Sequence, residues 1–247
     1  MIKHYFLTEL RLLTRHKTRF VLAVLLPVTF YLLFTSILDL PQPIMAKFNQ
    51  EYMYNMTTFS LMSFCLFSFP FDMIDERTRG WYKRLMRTPL TPAHYIGIKI
   101  GKTMCQFALS IVIIFTIAAQ FKGVQMAWTQ WVSSGVLIWF GASLMLSMGA
   151  LLAQMNDVQK ASGVGNILYL ALAVLGGLWF PVSQFPTLMQ HVALVTPTYH
   201  LKQLSYTVSL HQSFPLTSLI VLLVYCIIFL TLALYIRQRS ETISLKS

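Results

Sequence analysis

The chain has 247 residues, 56% of them hydrophobic and only 11% charged, against about 25% charged in a soluble domain. That scarcity of charge excludes a water-soluble enzyme or binding domain and leaves an integral membrane protein. The formal net charge of +11 is of the kind that basic loops beside anionic lipid produce, and it gives no reason to invoke nucleic acid.

The chain opens with "MIKHYFLTELRLLTRHKTRF". On a helix, Ile2, Tyr5, Phe6, Leu10 and Leu13 share one face while His4, Thr8, Arg11 and Arg15 lie toward the other. This predicts an amphipathic helix over about 1–19, lying on the cytoplasmic leaflet. A plain basic lead into a first span explains the same residues equally well. Uncharged runs of roughly 20 residues, enough to cross about 30 Å of hydrocarbon, then recur. Six are read, at about 20–38, 52–73, 103–121, 131–153, 163–181 and 216–236, with Asp72 closing the second at the interface. The expected fold is an all-α membrane domain occupying 1–247 as one unit.

Between the second and third spans runs "DMIDERTRGWYKRLMRTPLTPAHYIGIKIGK". Asp75 and Glu76 precede Arg77, Arg79 and Arg84, so a short helix here would place acids at its positive end and cations toward its negative end. Pro89 would end it. Trp81 with Leu85 and Tyr82 with Met86 are apolar pairs at i, i+4, which predicts a helix that lies flat and docks, or one buried among lipid headgroups. The following "GIKIGKT" resembles a phosphate-binding loop, but Gly97 and Gly101 are too close in sequence and two prolines precede them where a buried strand is needed. The 19 uncharged residues from Thr103 to Phe121 instead place Lys99 and Lys102 at a membrane surface.

Ser143 with Ser147 and Gly149 with Ala153 form small-x-x-x-small pairs in the fourth span, serving either contacts within the chain or a dimer. Next comes "LGGLWFPVSQFPTLMQHVALVTPTYHLKQL". Gly176 and Gly177 loosen the fifth span, Pro181 ends it, and Pro186 and Pro197 bracket ten apolar residues too short to span. External re-entrant half-helices between spans 5 and 6, capping a passage, are the expectation, since broken backbone at membrane depth survives only against protein or a cavity.

Orientation follows from the cations. Lys3, Arg11, Arg15, Lys17, Arg19, Arg77, Arg79, Lys83, Arg84, Arg87, Lys99, Lys102, Lys160, Arg237, Arg239 and Lys246 fall on one side, and Lys47, Lys122 and Lys202 on the other. Both termini are therefore expected in the cytoplasm. Cys65, Cys105 and Cys226 lie in spans without metal-ligand spacing, and the six His are scattered over both faces. The apolar cores hold no Asp, Glu, Lys or Arg, which disfavours an ion-coupled carrier. No HExxH, GxSxG or dinucleotide fingerprint is present, so no catalytic site, cofactor or metal is expected on this chain.

Taken in order, Glu76, Arg77, Gly80, Leu85 and "RTPLTP" before the third span, and "GGLWFP" with Gly176, Gly177, Phe180 and Pro181, then Pro186 and "TP" at Pro197, resemble the ABC-2 family of exporter permeases over essentially the whole chain. One departure is Trp81 and Tyr82 after Gly80, where the family often has Thr and Glu. The resemblance implies a six-span half-permease in a bacterial cell membrane. It would pair with a second copy or a related permease and be driven by a separate ABC ATPase subunit that holds ATP and Mg. Asp75, Glu76, Arg77, Arg79, Gly80, Trp81, Tyr82, Arg84 and Leu85 would form the coupling helix facing that ATPase, and Gly176 to Pro197 the external gate. Apolar, Phe- and Met-rich stretches such as "TTFSLMSFCLFSFPF" suit either a lipophilic cargo (drug, peptide, lipid or glycolipid) or lipid-facing packing. A scaffold or sensor subunit of an ATPase-linked signalling complex is the alternative.

Overall fold

The computed structural model describes residues 2–15, 17–38 and 41–244. Lys246 and His16 lie outside the described residues, as do the side chains of Ile2, Leu13, Arg15 and Lys17. The described chain is helical without a strand: α1 Ile2–Arg15, α2 Lys17–Ile37, α3 Gln42–Ser63, a π-helical turn at Phe64–Ser68, α4 Phe69–Thr78, α5 Trp81–Leu85, α6 Pro92–Lys122, α7 Trp128–Leu152, α8 Val158–Leu175, α9 Thr187–Ala193, α10 Pro197–Ser209 and α11 Leu216–Ser244. Six helical stretches are long and apolar enough to cross a membrane: Thr18–Ile37, Gln42–Thr78, Pro92–Lys122, Trp128–Leu152, Val158–Leu175 and Leu216–Arg239.

Most spans begin earlier than the absence of charge suggests, the second and third by the most. The second starts at Gln42, not 52, because its polar residues find partners inside the protein. Gln50 donates to Ser209 Oγ (3.0 Å), Asn49 to the Lys122 carbonyl (3.3 Å), and Glu51 pairs with Lys202 at 3.0 Å. The third starts at Pro92, not 103, with Thr91 as its N-cap and proline at the first helical position, where a missing N–H is harmless. Lys99 and Lys102 thus lie within a long helix rather than on a loop. The fifth stops at Leu175, not 181, where the Gly176–Gly177 pair breaks it.

The continuous rod Gln42–Thr78 is the axis of the fold, with 72% of its apolar window buried against 17% for α8 and 11% for α11. Tyr52 to Leu66 are buried without interruption, so the "TTFSLMSFCLFSFPF" stretch packs mainly inside the protein, with Phe67 and Phe71 partly exposed. The π turn carries an extra residue per turn and brings the Cys65 carbonyl against α7. A Cβ on Gly149 would sit 2.2 Å from that oxygen, so backbone meets backbone there, and the Gly149–Ala153 pair serves a contact within the chain. Hydroxyl pairs tie the layers together, Ser60 with Ser110 and Tyr54 with Ser134, each at 2.7 Å.

Candidate functional site

The segment after the second span is built differently from a free-standing helix. Asp75 and Glu76 belong to the last turns of α4, at its carbonyl end, where the helix dipole disfavours them; the expected order of acids opening a short helix is reversed. Gly80, in the left-handed region at φ 72°, turns the chain sharply into α5, a helix of only five residues that ends before Pro89. The apolar residues of α5 divide. Tyr82, Leu85 and Met86 pack on Leu90, Tyr95 and Ile98 together with Tyr5 and Phe6 of α1, forming a small second core. Trp81, Lys83, Arg84 and Arg87 face outward, with Trp81 45% exposed. Arg79 pairs with Asp75 at the surface (2.8 Å), and Arg77 donates to the Met155 carbonyl in the turn between α7 and α8.

Beneath this surface lies a cluster of buried charge. Lys99 Nζ contacts Glu9 Oε1 at 2.8 Å and Glu76 Oε1 at 2.6 Å; Lys102 Nζ contacts Glu9 Oε2 at 3.1 Å and Asp72 Oδ2 at 2.6 Å. Arg19 reaches Asp72 at 3.2 Å, and the Tyr95 hydroxyl donates to Glu76 at 2.7 Å. Glu9 and Lys99 have side chains only 1% and 2% exposed, so each charge is stable there only because the others neutralise it. Burial pushes the Glu9 carboxyl up, but the two lysines and their hydrogen bonds more than offset this and hold it below its ordinary value of 4.5. Burial, with Glu76 and Glu9 close by, keeps the Tyr5 phenol protonated. The cluster fastens α1 to α4 and α6, the two helices from which α5 hangs. Gly101 makes the approach possible, since a Cβ there would lie 3.1 Å from the Phe6 ring. The "GIKIGK" run that mimics a phosphate loop is thus the docking strip for the N-terminal helix.

Sequence reasoning missed Glu9, Lys99 and Lys102 as a unit: it expected the lysines at a membrane surface and gave them no partner, whereas the structure buries both against carboxylates. The local signals were slight. Glu9 is the one acid among the first twenty residues, and the two lysines are spaced i, i+3 on one helix face.

On the opposite end, the broken region holds two short helices, α9 and α10. Pro186 precedes α9 and Pro197 opens α10, which packs on α7 and α3. Gly176 is required by close approach, because a Cβ would fall 2.0 Å from Thr198 Oγ1, and Gly177 by its φ of 68°. Thr198 donates to the Leu172 carbonyl at 2.7 Å, stitching the end of α8 to the start of α10. Phe180 is half exposed, while Trp179 beside it packs against Phe30 and Phe59. Pro181 leads into a single 3-10 turn at Val182–Gln184.

The sequence pattern of the ABC-2 family transporter proteins matches residues 33–235. The chain belongs to the ABC-2 transporter family. It is also similar to a Bacillus subtilis (strain 168) protein named "Putative transport permease YvfS", with 29% identity over 238 residues, 96% of this chain and 97% of that one. An ABC-2 chain with six apolar spans is a multi-pass membrane protein and the permease subunit of an ABC transporter, and the family implies an ABC ATPase partner. The family match starts within α2, so α1, which carries Glu9, precedes it.

Proposed function

We propose that this ABC-2 permease is half of an exporter whose ATP and Mg are held by a separate subunit, and that the stroke enters through the outward surface of α5. The observation that carries this reading is the pairing of an exposed patch, Trp81, Lys83, Arg84 and Arg87, with a buried ion cluster directly behind it. A patch pushed by a partner needs a stiff connection to the spans, and Glu76–Lys99–Glu9 supplies one to α6 and α1. The α1–α5–α6 end carries the cation excess and is the cytoplasmic one on this reading, as are both termini. The broken region from Gly176 to Pro197 is the external gate. The cargo is amphipathic or lipophilic: the outward side chains of α8 include Val164, Ile167 and Leu170, and the helix carries no acid and no cation except Lys160 at its first turn. The permease pairs with a second permease, and the chain itself holds no catalytic site.

The test is co-purification and ATP turnover with its ABC ATPase subunit, comparing wild type with a Trp81→Ala, Arg84→Ala double change. Arg84 is exposed and Trp81 is 45% exposed at the edge of the small second core, so membrane insertion of the variant is checked alongside. Loss of binding or of turnover is expected. Unchanged assembly and turnover would mean that the α5 surface is a lipid anchor.

A further inference from the structure

We infer that the membrane-facing groove between α6 and α7 is a lipid site, which holds one acyl chain of a phospholipid from the leaflet on the side of the α6–α7 turn. The inference needs only that both helices span the membrane, and it stands apart from the coupling surface and from the pairing of permeases.

α6 ends at Lys122 and α7 begins at Trp128, so the two are antiparallel neighbours joined by a short link. Between them a groove of about 650 Å³ runs from Ala108 to Gln120 on α6 and from Trp139 back to Trp128 on α7. Small residues make the hollow: Ala108 and Ala119 on α6 and Gly135 on α7, beside the buried Ile111 and Phe115. A Cβ on Gly135 would come no closer than 3.6 Å to the Phe115 ring and 3.8 Å to Ile111, so the site has room for a larger side chain. Three of the chain's five tryptophans, Trp128, Trp131 and Trp139, stand around the groove. Trp131 meets the Phe115 ring edge to face at 5.2 Å, and Trp139 donates from Nε1 to the Met104 carbonyl at 2.9 Å, so both rings are fixed. Trp128, 79% exposed, stands with Gln120 at the end nearest the turn.

Size and polarity choose the occupant. From Ala108 to Gln120 α6 rises about 18 Å, which gives the groove a mean cross-section of about 36 Å². An α-helix with its side chains is at least 10 Å across, roughly 80 Å² in section. A helix of a partner protein or of a second copy would therefore rest on the tryptophan rims and leave the hollow empty, whereas a single hydrocarbon chain enters it. An empty groove forfeits the dispersion contacts of every atom that lines it, and at this depth hydrocarbon is at hand to restore them. Moving a lipid tail from bilayer to groove brings no hydrophobic gain, because lipid tails are as apolar as the walls. The preference comes instead from contact with rings already held in place. Inside the groove the Thr116 hydroxyl donates to the Val112 carbonyl of its own helix at 2.7 Å. The Gln120 carboxamide and the Trp128 indole sit at the mouth, the level at which tryptophan meets lipid headgroups, and their N–H groups suit a phosphate or glycerol ester.

The experiment is photo-crosslinking of the full-length permease in nanodiscs of phosphatidylethanolamine and phosphatidylglycerol, doped with a phospholipid that carries a diazirine within one acyl chain. Adducts are mapped by peptide mass spectrometry and compared, per exposed residue, with α11, where Leu223 and Ile227 face outward much as Val132 and Val136 do. Yields at Val112, Val132 and Val136 about tenfold above those of α11 are expected, the excess that a residence preference of about 1.4 kcal/mol gives. Gly135→Leu fills the hollow and should lower the groove yield to the α11 level. Val132→Trp, at a position 46% exposed, fills it from the rim and should do the same, which keeps the test open where the glycine variant does not fold. Equal yields on the groove and on α11 in wild type would make the groove ordinary lipid-facing surface and overturn the site. A groove yield below that of α11 would mean that protein covers it, and the lipid site would be wrong. Groove adducts undiminished in the filled variants would show that the chain lies elsewhere, with the same consequence.

Discussion

Replacing Glu9 with Gln keeps the shape of the side chain and removes its charge from a site that is 1% exposed. Lys99 loses its 2.8 Å partner and Lys102 its 3.1 Å partner, while Glu76 and Asp72 remain on the other side of each ammonium at 2.6 Å. Removing one member of a buried ion pair costs about 3–5 kcal/mol. The surviving carboxylates, 16% and 20% exposed, compensate in part, which places the expected cost near the bottom of that range, about 3 kcal/mol. The term acts on the docking of α1 against α4 and α6, because Glu9 is the ionic link α1 makes to both lysines. At 1.4 kcal/mol per tenfold, undocking becomes about a hundredfold more frequent. Amide hydrogen exchange of the N-terminal helix in lipid nanodiscs reads this directly, with α1 amides expected to exchange about a hundredfold faster and those of α7 unchanged. Exchange in α1 that matches wild type within a factor of about three would show that Tyr5 and Phe6 packing, not charge, holds the helix, and the ion cluster would lose its role as a connector.

The remaining predictions concern the same contacts. Since the Glu9 carboxyl is held below 4.5 in the docked state, its contribution is complete above the ordinary carboxylate range and fades as pH falls through the docked value. Protection of α1 against protease should therefore be flat from about pH 8 to 5.5 and decline below about pH 4, whereas a decline already at pH 6 would point to a different titrating group. Gly149→Ala, whose Cβ would meet the Cys65 carbonyl at 2.2 Å, should lower the permease's thermal midpoint by forcing α7 off the π turn, a cost of about 1–3 kcal/mol or more. Gly163→Ala, with open space around it, should leave that midpoint unchanged in the same assay.

The spans were legible because hydrocarbon reads composition: each uncharged run read as a span is helical in the structure, except for the end of the fifth beyond Leu175. What the sequence hid is charge that is cancelled from a distance. Lys99 and Lys102 look like surface cations until Glu9, some ninety positions earlier, is brought against them, and Glu51 looks too polar for a span until Lys202, 151 positions later, meets it. Local pattern carries no information about such pairs. Pro197, read as the end of a segment, begins one, because proline fits the first turn of a helix as well as it breaks an interior. The π turn at Phe64–Ser68 has no periodic signature, and the close approaches of Gly149 to the Cys65 carbonyl and of Gly165 to the Leu66 carbonyl show what it accommodates.

The most direct test of the coupling surface is a photo-crosslinking amino acid placed at residue 81 in cells that express the permease with its ABC ATPase, with residue 128, exposed at the other end of the molecule, as the control. The α5 account predicts a covalent adduct with the ATPase subunit from position 81 and none from 128. Adducts with lipid alone at both positions, or an ATPase adduct from 128, would contradict it.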